Sequence, residues 1–319
     1  MSLSDALRAP LQFEPAFKER VWGGRQLLPG SDQLIGEAWI LHEDQPVVAG
    51  PFAGRTLADL TCEYPAQLLG EGHVAARKAG RFPLLLKLLD CQDWLSVQVH
   101  PDDQQAREMV GPDENGKTEA WHILRAEPGA KLISGTRAGV TDEQVRQAIL
   151  SANVSGVTQE SAVHAGETLM VPAGTLHALG PGLLIYEIQQ TSDTTYRVYD
   201  WDRPASAGRE LHLEQSAQVT QPGQAKFTPA HPPQPGATDQ LAECEFFRLE
   251  QLQGDAAHPV GGDTARQGFH VLTVKSGEAR LSTAAGELTL RPYDTVLLPA
   301  ALGAYELRGT FEILRGQQS

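Results

Sequence analysis

Short apolar runs recur along the chain, most of them four to six residues and bounded by Gly, Pro or Asp. The clearest are Ala38–Leu41, Leu84–Leu89, Leu95–Val99, Trp121–Leu124, Thr168–Val171 and Leu183–Ile188. Later ones are Phe246–Leu249, His270–Val274, Glu287–Leu290 and Thr295–Leu298. That length and punctuation predict strands of a β-sandwich or barrel. Helical signals are fewer. Thr141 with Gln144 has the form of a capping box, which predicts a short helix through Leu150. Thr56 to Ala79 predicts one or two helical segments, interrupted at Pro65 and Gly70, and Pro101-Asp102-Asp103 suits a first helical turn.

Between Gln221 and Asp239 five prolines fall in nineteen residues, a composition suited to an extended linker and poor at sheet pairing. The expected division is therefore 1–220, a linker 221–239, and a small β domain 240–319. Ala165 to Ala173 and Arg291 to Ala300 each read as a turn, an apolar strand and Pro-Ala. That echo predicts two related β units, one functional and one degenerate.

With 26 Lys+Arg against 40 Asp+Glu the chain carries a formal charge of −14. This excludes nucleic acid and anionic membrane as main partners, and an anionic substrate would need basic side chains gathered locally. Cys62, Cys91 and Cys244 show no CxxC pattern, which argues against a disulfide framework or a thiolate zinc site. The first ten residues lack a basic-then-apolar signal pattern, and the run Leu84–Leu89, broken by Lys87, is too short to span a bilayer. A soluble cytoplasmic protein, monomer or homodimer, is expected.

Three places carry candidate chemistry. In Ser96-Val-Gln-Val-His100 strand alternation puts Ser96, Gln98 and His100 on one face and the valines on the other. Buried polar groups left unsatisfied cost about 1–3 kcal/mol each, so this face needs a partner. A metal ion would serve; so would water at an edge strand. Gly166 to His177 reads as a strand, a Pro-x-Gly turn that fixes direction, and a histidine. The spacing G-x5-P-x-G-x2-H resembles the second motif of the cupin superfamily, whose histidine ligates a metal inside a β-barrel. Glu119, in Gly116-Lys-Thr-Glu-Ala-Trp121, starts a strand and could add a carboxylate. Such a mixed N/O set suits Zn²⁺, with Mn²⁺, Co²⁺ or Fe²⁺ possible.

Phe82 to Asp90, Leu95 to Asp102, Gly116 to Trp121 and Val171 to His177 occur in the order found in type I mannose-6-phosphate isomerases. So do Val21-Trp-Gly-Gly24, Gly36-Glu-Ala-Trp39 and Gln190 to Arg197. The chain resembles the short bacterial form of that family, densely over about residues 12 to 203. The resemblance implies a mainly β fold of two cupin-type jelly-roll barrels with a few short helices. It implies reversible isomerisation of mannose 6-phosphate and fructose 6-phosphate through an enediol, with one Zn²⁺ held by Gln98, His100, Glu119 and His177. Lys117 and Arg197 match the family's active-site cations, Glu187 and Asp193 its nearby acids, and Ser96 and Lys87 its phosphate positions. Leu179 departs from a tyrosine of longer members. Arg197 cannot act as the base, since a guanidinium stays protonated; Lys117, Glu187, Asp193 and a metal-bound water remain candidates for moving the proton.

His42, His73, His122 and His164 read as surface or structural histidines, and Asp200, Asp202 and Arg203 as the ties of a turn. The competing readings are a sugar-phosphate isomerase of broader range, a cupin oxygenase and a non-catalytic sensor. Gln98 in place of a third histidine weighs against the oxygenase, and the intact Lys117 and Arg197 weigh against the sensor.

Overall fold

The computed structural model describes residues 3–71, 80–203, 209–232 and 234–319. His73 and the end of the stretch Thr56–Ala79 lie outside them, as does Pro233 of the proline-rich segment. The chain is mainly β and divides into two compact units. One contains Phe17–Trp39 and Lys87–Ala230; the other contains Met1–Ala16, Ile40–Leu86 and His231–Ser319.

In the first unit, strands Tyr196–Tyr199, Val97–Val99, His177–Leu179, Lys131–Thr136 and Thr158–Ala162 lie in that order in an antiparallel sheet. A second sheet runs Lys226–Thr228, Thr168–Val171, Glu119–Ala126, Leu183–Gln190, Leu84–Cys91, Ala16–Gly24, Ile35–Leu41. The sheets stay open rather than closing into barrels, while the β arrangement remains cupin-like.

Period-two alternation explains why both faces of the smaller sheet are covered. Val97, Val99, Ala178 and Val198 join Ile133, Val145, Ile149 and Val219 in one cluster, against helices Asp142–Leu150 and Leu213–Val219. On the other face Leu132 and Leu179 join Trp121, Ile123, Leu169 and Ile185 of the second sheet. Burying each such side chain contributes about 1.5–3 kcal/mol. Leu179 therefore sits in the core, 1% exposed.

The helix starts match their sequence signals. Thr141 and Gln144 form the capping box of Asp142–Leu150, and Asp102 and Gln105 form that of Asp103–Met109. Helices Leu57–Glu63 and Pro65–Leu69 flank the break at Pro65, and Gly70 ends the second with φ 93°. Within 221–239 the expected lack of pairing does not hold throughout. Lys226–Thr228, set between Pro222 and Pro229, pairs with Thr168–Val171 as the outermost strand of its sheet. An edge position tolerates flanking prolines because one side of the strand needs no partner.

The second unit is built on two fourteen-residue strands, His270–Thr283 and Ala304–Gln317, paired antiparallel. Leu272, Val274, Leu281, Leu307 and Ile313 form its core with Leu252 and Phe311. Buried beside that core are His270, Tyr305, Arg315 and Glu250, hydrogen-bonded in that order. The repeated strand-then-proline pattern is real in local structure: Thr168–Val171 precedes Pro172 and Thr295–Leu298 precedes Pro299. Only the first leads to a histidine. No helix among the described residues is long and apolar enough to cross a membrane.

Candidate metal centre and its cavity

Three neighbouring strands place the first donors. Gln98 lies opposite His177 on one side and opposite Arg197 on the other. With Val97 and Val99 turned to the helices, Ser96, Gln98 and His100 occupy the face away from them. The direction of His177 comes from the turn before it. Thr175 N–H donates to Pro172 C=O at 3.2 Å, and Gly174, at φ 83°, takes the left-handed conformation that a side chain would oppose. Gly174 N–H also donates to His100 C=O at 2.9 Å, which ties the backbones of the two histidines together.

Glu119 is placed by the loop that precedes it. Gly116 N–H donates to Asp103 Oδ1 at 2.8 Å and Lys117 N–H to Pro101 C=O at 3.0 Å. Gln190 braces the same segment, accepting from Thr118 N–H at 2.9 Å and donating to Asp103 Oδ1 at 2.9 Å.

Ligand atoms of His100, Glu119 and His177 all lie within 4.8 Å of one another, and all three residues are buried. The Nδ1 of His100 sits 2.9 Å from Thr194 C=O, and that of His177 sits 2.8 Å from Thr175 C=O. A carbonyl can only accept, so both histidines carry the proton on Nδ1 and present Nε2 as a lone pair. Glu119 Oε1 is 3.3 Å from His177 Nε2 and has no hydrogen-bond donor among the described residues. Lys117 Nζ stands 3.1 Å from Glu119 Oε2 and 3.1 Å from His100 Nε2. Gln98 Nε2 lies 3.2 Å from His177 Nε2; a half-turn of the amide puts its oxygen there instead.

Burial dominates the electrostatics. It holds His100 well below the usual imidazole range and brings His177 down to about 4, so both are neutral ligands at pH 7. Burial also pushes the Glu119 carboxyl up to about 7, against the pull of Lys117. A buried carboxylate with one oxygen lacking a donor, facing two imidazole lone pairs, is costly by itself and fits a divalent cation of the Zn²⁺ type.

Beside the centre, reached by Gln98 and Lys117, lies a cavity of about 460 Å³, within the range of small-molecule sites. Lys87, Ser96, Gln98, Lys117, Glu187, Asp193 and Arg197 all line it. Lys87 Nζ pairs with Glu187 Oε2 at 3.0 Å and donates to Gln189 Oε1 at 2.7 Å; Trp121 Nε1–H donates to Glu187 Oε1 at 2.9 Å. Burial alone would raise the Glu187 carboxyl, but Lys87 and Lys117 hold it below the usual range. The same burial opposes the charge of Lys87, and Glu187 and Glu37 more than restore it. Ser96 accepts from Arg197 Nε at 3.2 Å and donates to Gln98 Oε1 at 3.3 Å. Asp193 is exposed.

Four lining residues have no signal in the strand pattern: Arg20, Glu37, Arg209 and His212. Arg20 Nε donates to Glu37 Oε1 at 2.6 Å and Trp39 Nε1–H to Glu37 Oε2 at 2.7 Å. Glu37 and Trp39 stand in Gly36-Glu-Ala-Trp39, so the motif marks the place without naming the role. The remaining histidines are structural or peripheral: His122 is buried with Nδ1 2.9 Å from Thr168 Oγ1, and His164 is exposed near Glu167. Arg203 bridges Asp200 and Asp93, which closes the turn after Arg197.

A cupin-like β scaffold with a buried histidine–carboxylate centre at a polar cavity defines the class. Residues 11–124 match the family model of the type I phosphomannose isomerase catalytic domain. The chain is 36% identical to a mannose-6-phosphate isomerase of Streptococcus mutans, over 96% of this chain and 97% of that one. The crystal structure of the mannose 6-phosphate isomerase from Bacillus subtilis superposes with a TM-score of 0.81 at 30% identity, covering 97% and 99%. At 16% identity and a TM-score of 0.75, a mannose 6-phosphate isomerase bound with zinc and yttrium shares the fold over 97% of this chain and 99% of that chain. The chain belongs to the mannose-6-phosphate isomerase family.

Proposed function

We propose that this protein interconverts mannose 6-phosphate and fructose 6-phosphate, with one Zn²⁺ held by Gln98, His100, Glu119 and His177. The observation that carries this reading is the Glu119 carboxylate, buried and faced by the lone pairs of two histidines, with the Lys117 ammonium 3.1 Å from Oε2 and no donor at Oε1 among the described residues. A cation bound there supplies Lewis-acid stabilisation of the negative charge that develops on the open-chain sugar's oxygen.

The reaction moves a proton between C1 and C2 through an enediol. Arg197 stays charged throughout and donates to the enediolate oxygen; its Nε is already oriented by Ser96. Glu187 takes and returns the proton. Lys87 and Trp121 hold it ionised and oriented on the cavity wall, as a base must be before the reaction. Lys117 joins the centre to the cavity through its contacts with Glu119 and His100 and keeps positive charge beside the reacting carbons. Asp193, exposed, lines the same cavity.

The test is turnover of mannose 6-phosphate, glucose 6-phosphate and unphosphorylated mannose by the purified protein. Mannose 6-phosphate should be preferred by at least about a hundredfold in kcat/KM over unphosphorylated mannose, the scale of one or two charge-assisted contacts. It should also be preferred over glucose 6-phosphate, which keeps the phosphate but inverts C2. Equal turnover of glucose 6-phosphate would reject the substrate assignment in favour of an isomerase of broader range.

A further inference from the structure

Gln189 is fully buried, and two parts of the site meet on its side-chain amide. It stands opposite Glu119 on the neighbouring strand, two residues beyond Glu187 and so on the same face. Its Nε2 donates to Gln190 C=O at 2.9 Å and to Ser192 C=O at 2.7 Å, while Oε1 accepts from Lys87 Nζ at 2.7 Å. Both carbonyls can only accept, so the nitrogen must face them and the oxygen must face the ammonium. Turning the amide over would lose all three bonds.

The carbonyls that Gln189 holds open the turn after its strand. Residues 191–195 form neither helix nor strand, so their buried backbone groups need other partners. Asn115 Nδ2 donates to Thr191 C=O at 3.0 Å, and Thr194 N–H donates to Ser192 Oγ at 3.3 Å. Two residues past Ser192, the Thr194 carbonyl accepts from His100 Nδ1–H at 2.9 Å. That bond keeps the ring proton on Nδ1 and aims the Nε2 lone pair at the centre. At the other end of the amide, the Lys87 ammonium is shared with Glu187 at 3.0 Å.

We propose that Gln189 is a positioning residue of the metal centre: it holds the turn that carries Thr194, and through it the His100 ring, and anchors that turn to Lys87. This deepens the zinc-isomerase reading above and rests on it. A methionine fills nearly the same volume with no donor or acceptor, which leaves two buried carbonyls and the Lys87 ammonium each short of a partner. If the amide served stability alone, only the thermal midpoint would fall. If it positions His100, zinc affinity falls as well.

The experiment reads zinc affinity by chelator competition at pH 8, the thermal midpoint, and kcat and KM for mannose 6-phosphate at saturating zinc. It compares wild type, Gln189→Met, Gln189→Asn and the double variant Lys87→Met with Glu187→Gln. The double variant removes the buried ion pair without changing net charge and leaves the Gln189 donors on their carbonyls. Zinc affinity should fall by about tenfold or more in Gln189→Met, the scale of groups that orient metal ligands, and stay within about threefold in the double variant. Zinc-loaded Gln189→Met should lose about tenfold in kcat with KM changed by less than about threefold. Gln189→Asn, an amide one carbon shorter, carries the test if Gln189→Met does not fold, with zinc affinity lowered about three- to tenfold. Wild-type zinc affinity in both Gln189 variants, or an equal loss in the double variant, would overturn the positioning role. A wild type that binds no zinc would instead reject the metal reading on which the proposal rests.

Discussion

His177 stands directly opposite Gln98 on neighbouring antiparallel strands, with their Nε2 atoms 3.2 Å apart. The strand pairing thus delivers a neutral amide, rather than a second carboxylate, to the centre that Glu119 completes. Neutrality there keeps the net charge of a Zn²⁺ site with one carboxylate at +1, which strengthens its pull on a developing oxyanion. Gln98→Glu should therefore retain metal while kcat falls by about tenfold or more. Metal content by atomic emission, measured beside kcat, checks this; a full-rate Gln98→Glu enzyme would remove the charge argument.

Lys87 and Glu187 are both nearly fully buried, at 6% and 5% side-chain exposure. Removing one partner of such a pair leaves an uncompensated buried charge, at a cost of about 3–5 kcal/mol. Lys87→Met should lower the thermal midpoint markedly, and adding Glu187→Gln should restore part of it. Calorimetry on the single and double variants checks the coupling. Additive losses would show that the two side chains do not stabilise each other.

Metal affinity should depend on pH through Glu119. In the metal-free protein its carboxyl titrates near 7, pushed up by burial, and only the ionised form ligates. Protons therefore compete below pH 7 and not above it. The apparent Zn²⁺ affinity should fall by about tenfold per pH unit below 7, since one proton is exchanged, and level off above. Competition with a chelator of known proton affinity, run from pH 5.5 to 8.5, reads the slope directly. A flat profile would mean that Glu119 is ionised without metal.

Gly116 touches nothing that reacts, yet its position decides where Lys117 and Glu119 sit. A Cβ there would meet the Asp102 carbonyl carbon and the Asp103 nitrogen at 2.5 Å, so the loop must move. Gly116→Ala should weaken metal binding and lower kcat by about tenfold or more while the protein still folds, since a misplacement on the scale of 1 Å is enough. Far-ultraviolet circular dichroism with metal content and kcat separates this from unfolding.

Much of the site is legible in the sequence because its residues lie on short strands with strict alternation or beside glycine turns. Ser96 to His100 and Pro172 to His177 report their geometry locally. Other elements are hidden for physical reasons. Ala16–Gly24 is a nine-residue strand whose exposed alternate positions include the apolar Phe17 and Val21 while Lys18 and Arg20 are half-buried, so its apolar pattern is the reverse of its burial. Arg209 and His212 reach the cavity through contacts with Asp200 and Arg197, which no spacing rule foretells. The pairing of Lys87 with Glu187, a hundred residues on, is likewise a product of tertiary structure. So is the grouping of Ile40–Leu86 with the C-terminal residues. The apolar setting of Lys87 signals a buried ammonium but not its partner.

The most direct measurement is a coupled assay of mannose 6-phosphate isomerisation on the purified protein, before chelation, after it, and after Zn²⁺ is restored. Activity should vanish with the chelator and return with about one equivalent of zinc, the stoichiometry of a single four-ligand site. Full activity in protein shown to be free of metal would contradict the assigned role of Gln98, His100, Glu119 and His177.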